Sequence, residues 1–499
     1  MVSEHIYDVA VIGAGVVGAA IARELARHSI STVLVEAGSD VGGGTSKANT
    51  AILHTGFDAK PGSLEAKLVA RGYELMGRYA EIVGVPIERT GAILVAWTAE
   101  QVAALPTIAE NAAKNGVTDL SPLSVEELYR REPHLGAGAL GGLFIPGESI
   151  ICPYTPPLAF AYEAVENGVE LRLESAVTSV TSTAEAHALA CGAESIRARW
   201  VVNAAGLHSD TLDRMFGHDR FTVRARRGEL IVFDKLARNL IRHILLPVPT
   251  KTTKGVLVSP TVFGNVLLGP TAEDLDDKEA SGTSARGLAS LLEKGRTILP
   301  ALEREEVTST YAGLRAATEH SDYQIFADSA QRYICVGGIR STGLSASLAI
   351  AEYVVGLIPE LRSRAPKSDW KSIRMPNLGE ATERPYQSAA RIADNPSYGR
   401  IVCHCERVTE GEIQDALSSP VPAQTLDALR RRTRCLQGRC QGFYCLASVA
   451  RALAEKSGRS IESLLGGESL LGGESLLGGE SLLGDESLLG GESLLGGKS

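Results

Sequence analysis

No uninterrupted apolar run in this 499-residue chain reaches the 18 or so residues of a membrane span, which excludes a helix crossing a bilayer. A basic surplus is also missing. The net charge is −9, but the last 38 residues, Glu462 to Ser499, hold seven acids and one lysine, so the remainder carries only −3. A nearly neutral body lacks the basic face of a broad nucleic-acid surface, and no nucleic-acid partner is expected. Met1 to Tyr7 show neither the basic nor the apolar region of a secretory signal, so a cytoplasmic location is expected. Peripheral attachment at the inner membrane through a partner stays compatible with that. Cysteine is thin over most of the chain, with only Cys152, Cys191 and Cys335 before residue 400. At 44% hydrophobic and 22% charged residues, the protein buries an ordinary core without a disulfide scaffold.

The length suits roughly three domains of about 150 residues. Asp8 to Ile12 (DVAVI) is a short apolar run that ends in glycines and leads into the helix-like AAIARELARH. Thr32 to Val35 (TVLV) then supplies a second buried strand ending at Glu36, which completes a βαβ unit. Much later, Trp200 to Asn203 runs into Ala204-Ala205-Gly206, and Tyr333 to Val336 runs into Gly337-Gly338. Both deliver small residues to strand C-termini, where open α/β sheets bind ligands. Between them, GELIVFD, GVLVSP and GNVLLGP are short strands separated by turn residues and predict an antiparallel sheet. The expected fold class is therefore α/β, with a Rossmann-type domain (1–90, 145–215 and 330–361) interleaved with an antiparallel-sheet substrate domain (91–144 and 216–329). A polar linker or wrapping arm with three prolines follows at 362–395, then a small cysteine-bearing helical module at 396–460. The end, 461–499, repeats Glu-Ser-Leu-Leu-Gly-Gly in six copies, one Gly replaced by Asp485. Paired glycines oppose a helix at about 1 kcal/mol each, so disorder is expected there.

Gly13-Ala14-Gly15-Val16-Val17-Gly18 matches G-x-G-x-x-G between a strand and a helix. Gly13 permits the tight turn, Gly15 lets the backbone approach a pyrophosphate, and Gly18 allows close helix–strand packing. The helix N-terminus faces the anion. Glu36, 18 residues after Gly18, accepts ribose hydroxyls and repels a 2′-phosphate, which disfavours NADP. A second glycine-rich turn, Val41 to Asn49 (VGGGTSKAN), has no role in a plain NAD fold but suits a flavin.

With Asn203-Ala204-Ala205-Gly206, Ala312-Gly313-Leu314-Arg315 and Gly337-Gly338-Ile339-Arg340-Ser341-Thr342-Gly343-Leu344, the chain from about 6 to 360 resembles FAD-dependent oxidoreductases of the D-amino-acid oxidase type. That family includes glycerol-3-phosphate and L-2-hydroxyglutarate dehydrogenases. The resemblance implies FAD as cofactor. It places Gly13, Gly15, Gly18, Glu36, Thr45, Ser46, Asn49, Val177, Ala205, Gly206, Gly338, Gly343 and Leu344 against it.

The remaining five cysteines crowd together. Cys403-His404-Cys405 and Cys440-Gln-Gly-Phe-Tyr-Cys445 offer four thiolates as two close pairs, which suits zinc or an iron–sulfur cluster. The flanking IVCHCERVTE and Arg430 to Cys445 resemble the bacterioferritin-associated-ferredoxin-like module. That resemblance implies a [2Fe–2S] cluster on Cys403, Cys405, Cys440 and Cys445, with Cys435 a neighbour and His404 pointing away. The fusion of the two parts resembles the large subunit of anaerobic glycerol-3-phosphate dehydrogenases. Arg430, Arg431, Arg432 and Arg434 either compensate cluster charge, dock a partner or form a solvated basic face.

Oxidation of an alcohol by a flavin needs a base for the hydroxyl proton, work suited to histidine. His54, in AILHTG just past the second glycine-rich turn, is the candidate, because the resembled family carries a flavin-facing histidine in this segment; His208 is a distant second. An anionic substrate needs a cationic clamp. Arg315 stands at the family's G-x-R position, where the usual following proline is Ala316. Arg340 lies in the last glycine-rich loop, a position that varies among relatives, and Lys251 and Lys254 form a possible cover over the substrate. The expected activity is oxidation of a small anionic alcohol, glycerol 3-phosphate first, with electrons passing through the cluster to a quinone or an electron-transfer protein subunit. A 2-hydroxy acid, an opine or imino acid, and a pure electron-relay subunit are the rival readings.

Overall fold

The computed structural model describes residues 2–249 and 255–465. Lys251, Lys254 and the repeat beyond Leu465 lie outside them. The start of the tail is inside: Ile461–Leu465 forms a short helix, against the disorder expected from 461 onward. Two adjacent glycines first appear at 466–467, so the five residues before them escape that penalty.

The first sheet has eight strands and is built on the βαβ unit. Val2–Ile12 pairs in parallel with Thr32–Val35 on one side and Glu194–Asn203 on the other, with Ile12 opposite both Val35 and Asn203. That register brings the glycine loop, the residue after Val35 and the Ala204–Gly206 turn to one edge. Helix Val16–Ala26 is buried almost all round, its small residues letting it lie between helices Thr155–Glu166 and Gly343–Val355. Strand Tyr333–Gly337 joins in parallel beside Val201–Asn203. Gln324–Asp328, expected in the second domain, instead pairs antiparallel with Tyr333–Gly337 at the edge of this sheet.

The second sheet has nine strands. Arg224–Phe233 pairs antiparallel with Val307–Ala317, Val266–Gly269 and Glu273–Leu275, and Leu257–Pro260 pairs antiparallel with Val266–Gly269. One pair departs from the antiparallel expectation: Ile244–Pro247 lies parallel to Ala92–Ala96. A three-stranded sheet joins Ile52–Leu53, Ser149–Ile151 and Ile87–Glu88. Here Leu53 opposes Ser149, so the residues just beyond, His54 and Glu148, become neighbours.

Residues 362–395 form a strap along the body. Lys367 N–H donates to the Arg27 carbonyl, Met375 to Val83 and Glu380 to Val262, while Met375 and Leu378 are buried. Arg384, 1% exposed, ends the strap against Glu412 at 3.3 Å. The cysteine module follows with its own core, among it Ile413, Leu417, Leu429, Val449 and Leu453.

Candidate active site and cluster site

The glycine loop has the close contacts its sequence demands. Gly13 is left-handed (φ +100), and a Cβ there would stand 2.5 Å from the Ala204 carbonyl oxygen. A Cβ on Gly18 would lie 1.8 Å from the Gly13 oxygen. At Gly15 it would meet only Ser46 Oγ, at 3.3 Å. Gly15 caps the helix without a side chain, which leaves room for an anion at the helix N-terminus. Ser46 Oγ accepts the Val16 N–H (2.9 Å), and Glu36 accepts Ala14 N–H (2.7 Å) and Gly38 N–H (2.8 Å).

The second turn packs on this loop, Gly42 N–H donating to the Ala14 carbonyl. Thr45–Lys47 is a 3-10 turn, and Thr45 Oγ1 donates to the Leu314 carbonyl at 2.7 Å. Asn49 holds the turn through Ser46 and Ala51. The Ser175 N–H donates to the Glu36 carbonyl, so Val177 begins its strand just beyond the end of Thr32–Val35. Ala205 N–H is held by Asn203, and Gly206 is left-handed. Gly338 is left-handed, and Gly343 and Leu344 open the helix whose Ser345 Oγ accepts the His54 N–H at 2.8 Å. The residues drawn from six segments thus meet around the C-terminal edge of the first sheet. Side-chain-free Gly15 at a helix N-terminus and the Glu36 carboxylate beside the glycine loop fit FAD.

His54 sits between two carboxylates that nothing in its own segment announces. Its Nδ1 is 3.1 Å from Glu148 Oε1 and its Nε2 3.1 Å from Asp58 Oδ1. Glu148 is 1% exposed and also accepts the Thr55 N–H and hydroxyl. Burial alone would push the His54 pKa down, but the two carboxylates outweigh it and push it up to about 10. As an imidazolium the ring donates to both carboxylates. The Gly56 N–H also points at Nδ1, at 3.0 Å.

Arg315 is half-buried on Val307–Ala317. It shares a strand face with Tyr311, whose hydroxyl donates to the Asn49 carbonyl (2.7 Å), and with Gly313, where a Cβ would strike the Ala48 oxygen at 2.0 Å. That face is the one turned to the segment leading to His54. Arg315 donates to the Thr271 carbonyl at 2.7 Å and, among the described residues, forms no ion pair. Burial and the neighbouring Arg226 push it down to about 10, so it remains a cation at neutral pH without a matched anion. Arg340 instead pairs with Glu65 at 3.1 Å and donates to the Ser321 carbonyl. His208 is on the surface against Glu279 and takes no part. Cys152 is a buried thiol receiving the Thr155 hydroxyl at 3.1 Å.

The four cysteines of the C-terminal module form two pairs. Cys403 neighbours Cys445, and Cys405 neighbours Cys440. Four sulfurs in two neighbouring pairs suit a two-iron cluster, two per iron. His404 is exposed and Cys435 is buried, receiving the Thr433 hydroxyl at 3.0 Å. Arg431, Arg432 and Arg434 are not a solvated face but are buried against the body of the chain. Arg434 ion-pairs with Glu406 at 3.0 Å and lies 3.9 Å over the Phe263 ring.

A flavin site near a histidine held between two carboxylates, with a cysteine module attached, suits an oxidoreductase. Residues 8–357 match the FAD dependent oxidoreductase family, and the chain belongs to it. Residues 401–455 match the BFD-like [2Fe-2S] binding domain. The protein is an FAD-dependent oxidoreductase with a [2Fe–2S] module, similar to glycerol 3-phosphate dehydrogenases. It is 37% identical over 456 residues to such an enzyme from Caloramator mitchellensis, covering 91% of this chain and 95% of that one. A glycerol 3-phosphate oxidase from Mycoplasma pneumoniae is 29% identical, covering 76% and 99%. The FAD-bound structure of L-alpha-glycerophosphate oxidase from the same organism superposes with a TM-score of 0.70 at 27% identity, covering 75% of this chain and all of that one.

Proposed function

We propose that the protein oxidises the secondary hydroxyl of glycerol 3-phosphate and passes the electrons to an external acceptor. The observation that carries this reading is Arg315: a half-buried guanidinium without an ion-pair partner among the described residues, on the strand face turned to the segment bearing His54. It supplies bidentate recognition of a phosphate, and a carboxylate suits it equally in charge. The whole-length likeness to a glycerol 3-phosphate dehydrogenase favours the phosphate.

FAD, when bound, supplies the two-electron acceptor for the hydride, and the [2Fe–2S] cluster supplies one-electron exit. The chain's own residues handle the substrate and its proton. Arg315 anchors the anion, while Ser345 and the Glu148–Asp58 pair fix the His54 backbone and ring. Neutral His54 takes the hydroxyl proton at Nε2, the substrate hydroxyl replacing Asp58 at that atom, and Glu148 at Nδ1 stabilises the imidazolium that results. At pH 7 roughly one ring in a thousand is neutral for a pKa near 10, so the step is base-limited there. The loop between Cys440 and Cys445, which would hold the cluster, faces outward, with Phe443 82% and Tyr444 72% exposed. This arrangement suits delivery to a quinone or an electron-transfer subunit. No helix among the described residues is long and apolar enough to cross a membrane, so a membrane acceptor would be met peripherally.

The test is an anaerobic screen of flavin absorbance with glycerol 3-phosphate, L-2-hydroxyglutarate and L-proline. Bleaching by glycerol 3-phosphate at the lowest concentration is expected. Preference for either other compound refutes the substrate, and no bleaching by any of them favours a relay subunit.

A further inference from the structure

Helix Leu426–Thr433 joins the two cofactor sites. Its C-terminal end turns left-handed at Arg434 (φ 73) into Cys435 and Leu436, which pack in one buried core with Cys403 and Cys445. Its last turn carries Arg431 and Arg432, both ending on Asp40. Arg432 Nη1 and Nη2 each lie 2.7 Å from an Asp40 oxygen, and Arg431 Nη2 lies 2.5 Å away. All three side chains are about 4% exposed. A second bridge runs from Lys47, through Asp427 at 3.3 Å, to Arg431.

Asp40 stands in the turn that covers the glycine loop. Residues 37–44 contain neither helix nor strand and include Gly38, Gly42, Gly43 and Gly44. Such a segment gains little order from its own backbone, glycine being the most permissive residue. Two side chains anchor it: Val41 in the core and Asp40 in the arginine pair.

We propose that Asp40, Arg431 and Arg432 couple the two cofactors, so that FAD is held tightly only while the cluster keeps the arginine helix in place. Asp40 is a positioning residue. It orders the turn from which Gly42 reaches Ala14 and Ser46 reaches Val16, and those are the contacts that shape the glycine loop. Loss of the cluster frees the Cys435–Leu436 corner, loosens the last helical turn and releases the carboxylate. Coupling of two binding sites is reciprocal, so FAD must in turn protect the cluster. None of this depends on the substrate.

The experiment uses the full-length holoprotein. FAD affinity is measured by flavin fluorescence before and after removal of iron with a chelator, and cluster bleaching by chelator is timed with and without FAD. In the wild type, cluster removal weakens FAD binding at least about tenfold, and FAD slows bleaching by a similar factor. In Asp40→Asn, FAD binds weakly from the start and cluster removal changes it less than about twofold. Equal FAD affinity in cluster-loaded and cluster-free wild type overturns the proposal, as does undiminished coupling in Asp40→Asn. Should Asp40→Asn not fold, Asp427→Asn keeps Asp40–Arg432 and removes the Lys47 bridge. There the coupling shrinks in part, and full wild-type coupling counts against the proposal.

Discussion

Replacing Glu148 by Gln tests the proton chemistry most directly. Gln keeps an oxygen for the Thr55 N–H and hydroxyl, so the turn holds while one of two charges beside His54 disappears. Both carboxylates stand 3.1 Å from the ring and together lift its pKa from 6.5 to about 10 against the burial penalty. That penalty remains in the variant, so losing one carboxylate removes at least half of the rise, and the midpoint drops to about 8 or below. Anaerobic stopped-flow reduction of the flavin between pH 6 and 11 reads this directly. The wild-type limiting rate climbs with pH toward about 10 and then levels, whereas the variant levels near neutrality. Stability moves with it. Because the folded pKa lies above the unfolded one, the proton contributes fully below pH 6.5 and its contribution is lost as pH rises to about 10. That contribution is on the order of 4–5 kcal/mol in the wild type, and the variant loses a smaller amount over a narrower range. A Glu148→Gln profile with the wild-type midpoint, or a wild-type rate flat above pH 8, would falsify His54 as the base.

Arg315→Ala is expected to raise KM for glycerol 3-phosphate about 10–150-fold, the value of a charge-assisted hydrogen-bonded contact, with FAD content unchanged. Unaltered KM places the anion elsewhere. Cys403→Ser should yield iron-free protein that still bleaches its flavin with substrate when FAD is supplied in excess; iron analysis and flavin absorbance separate the two. In Gly72→Ala the new Cβ would meet the Ser345 oxygen at 2.3 Å, so helices Leu64–Val83 and Gly343–Val355 must part at a cost of about 1–3 kcal/mol. A thermal melt checks it, and an unchanged melting temperature contradicts the packing. Replacing Phe443 and Tyr444 together with Ser should leave flavin reduction intact and slow turnover with an external acceptor.

The parts of the site readable in the sequence are those whose chemistry is local. The glycine loop, Glu36 and the cysteine pairs each have a spacing that only a few backbone geometries or ligands require, and each stands where that spacing implies. Glu148 and Asp40 are different. Nothing distinguishes them along the chain from other acids, since their meaning comes from strand register with Ile52–Leu53 and from a helix nearly 400 residues away. The run Arg430 to Arg434 has the composition of a wetted surface, yet three of its four arginines are buried. Only a three-dimensional partner could reveal that. Likewise the parallel pairing of Ile244–Pro247 with Ala92–Ala96 joins segments far apart in sequence, where alternation carries no sign of strand direction.

The strap of residues 362–395 has a consequence for assembly. It ties the arginine-bearing module to a body that a ribosome completes first, and it lies fastened at Arg27, Val83 and Val262. A module leashed this way meets its berth at an effective concentration in the millimolar range instead of by free diffusion. Nascent chains therefore finish by closing one intramolecular latch, and a separately expressed module, lacking the leash, would have to find the same berth from dilute solution.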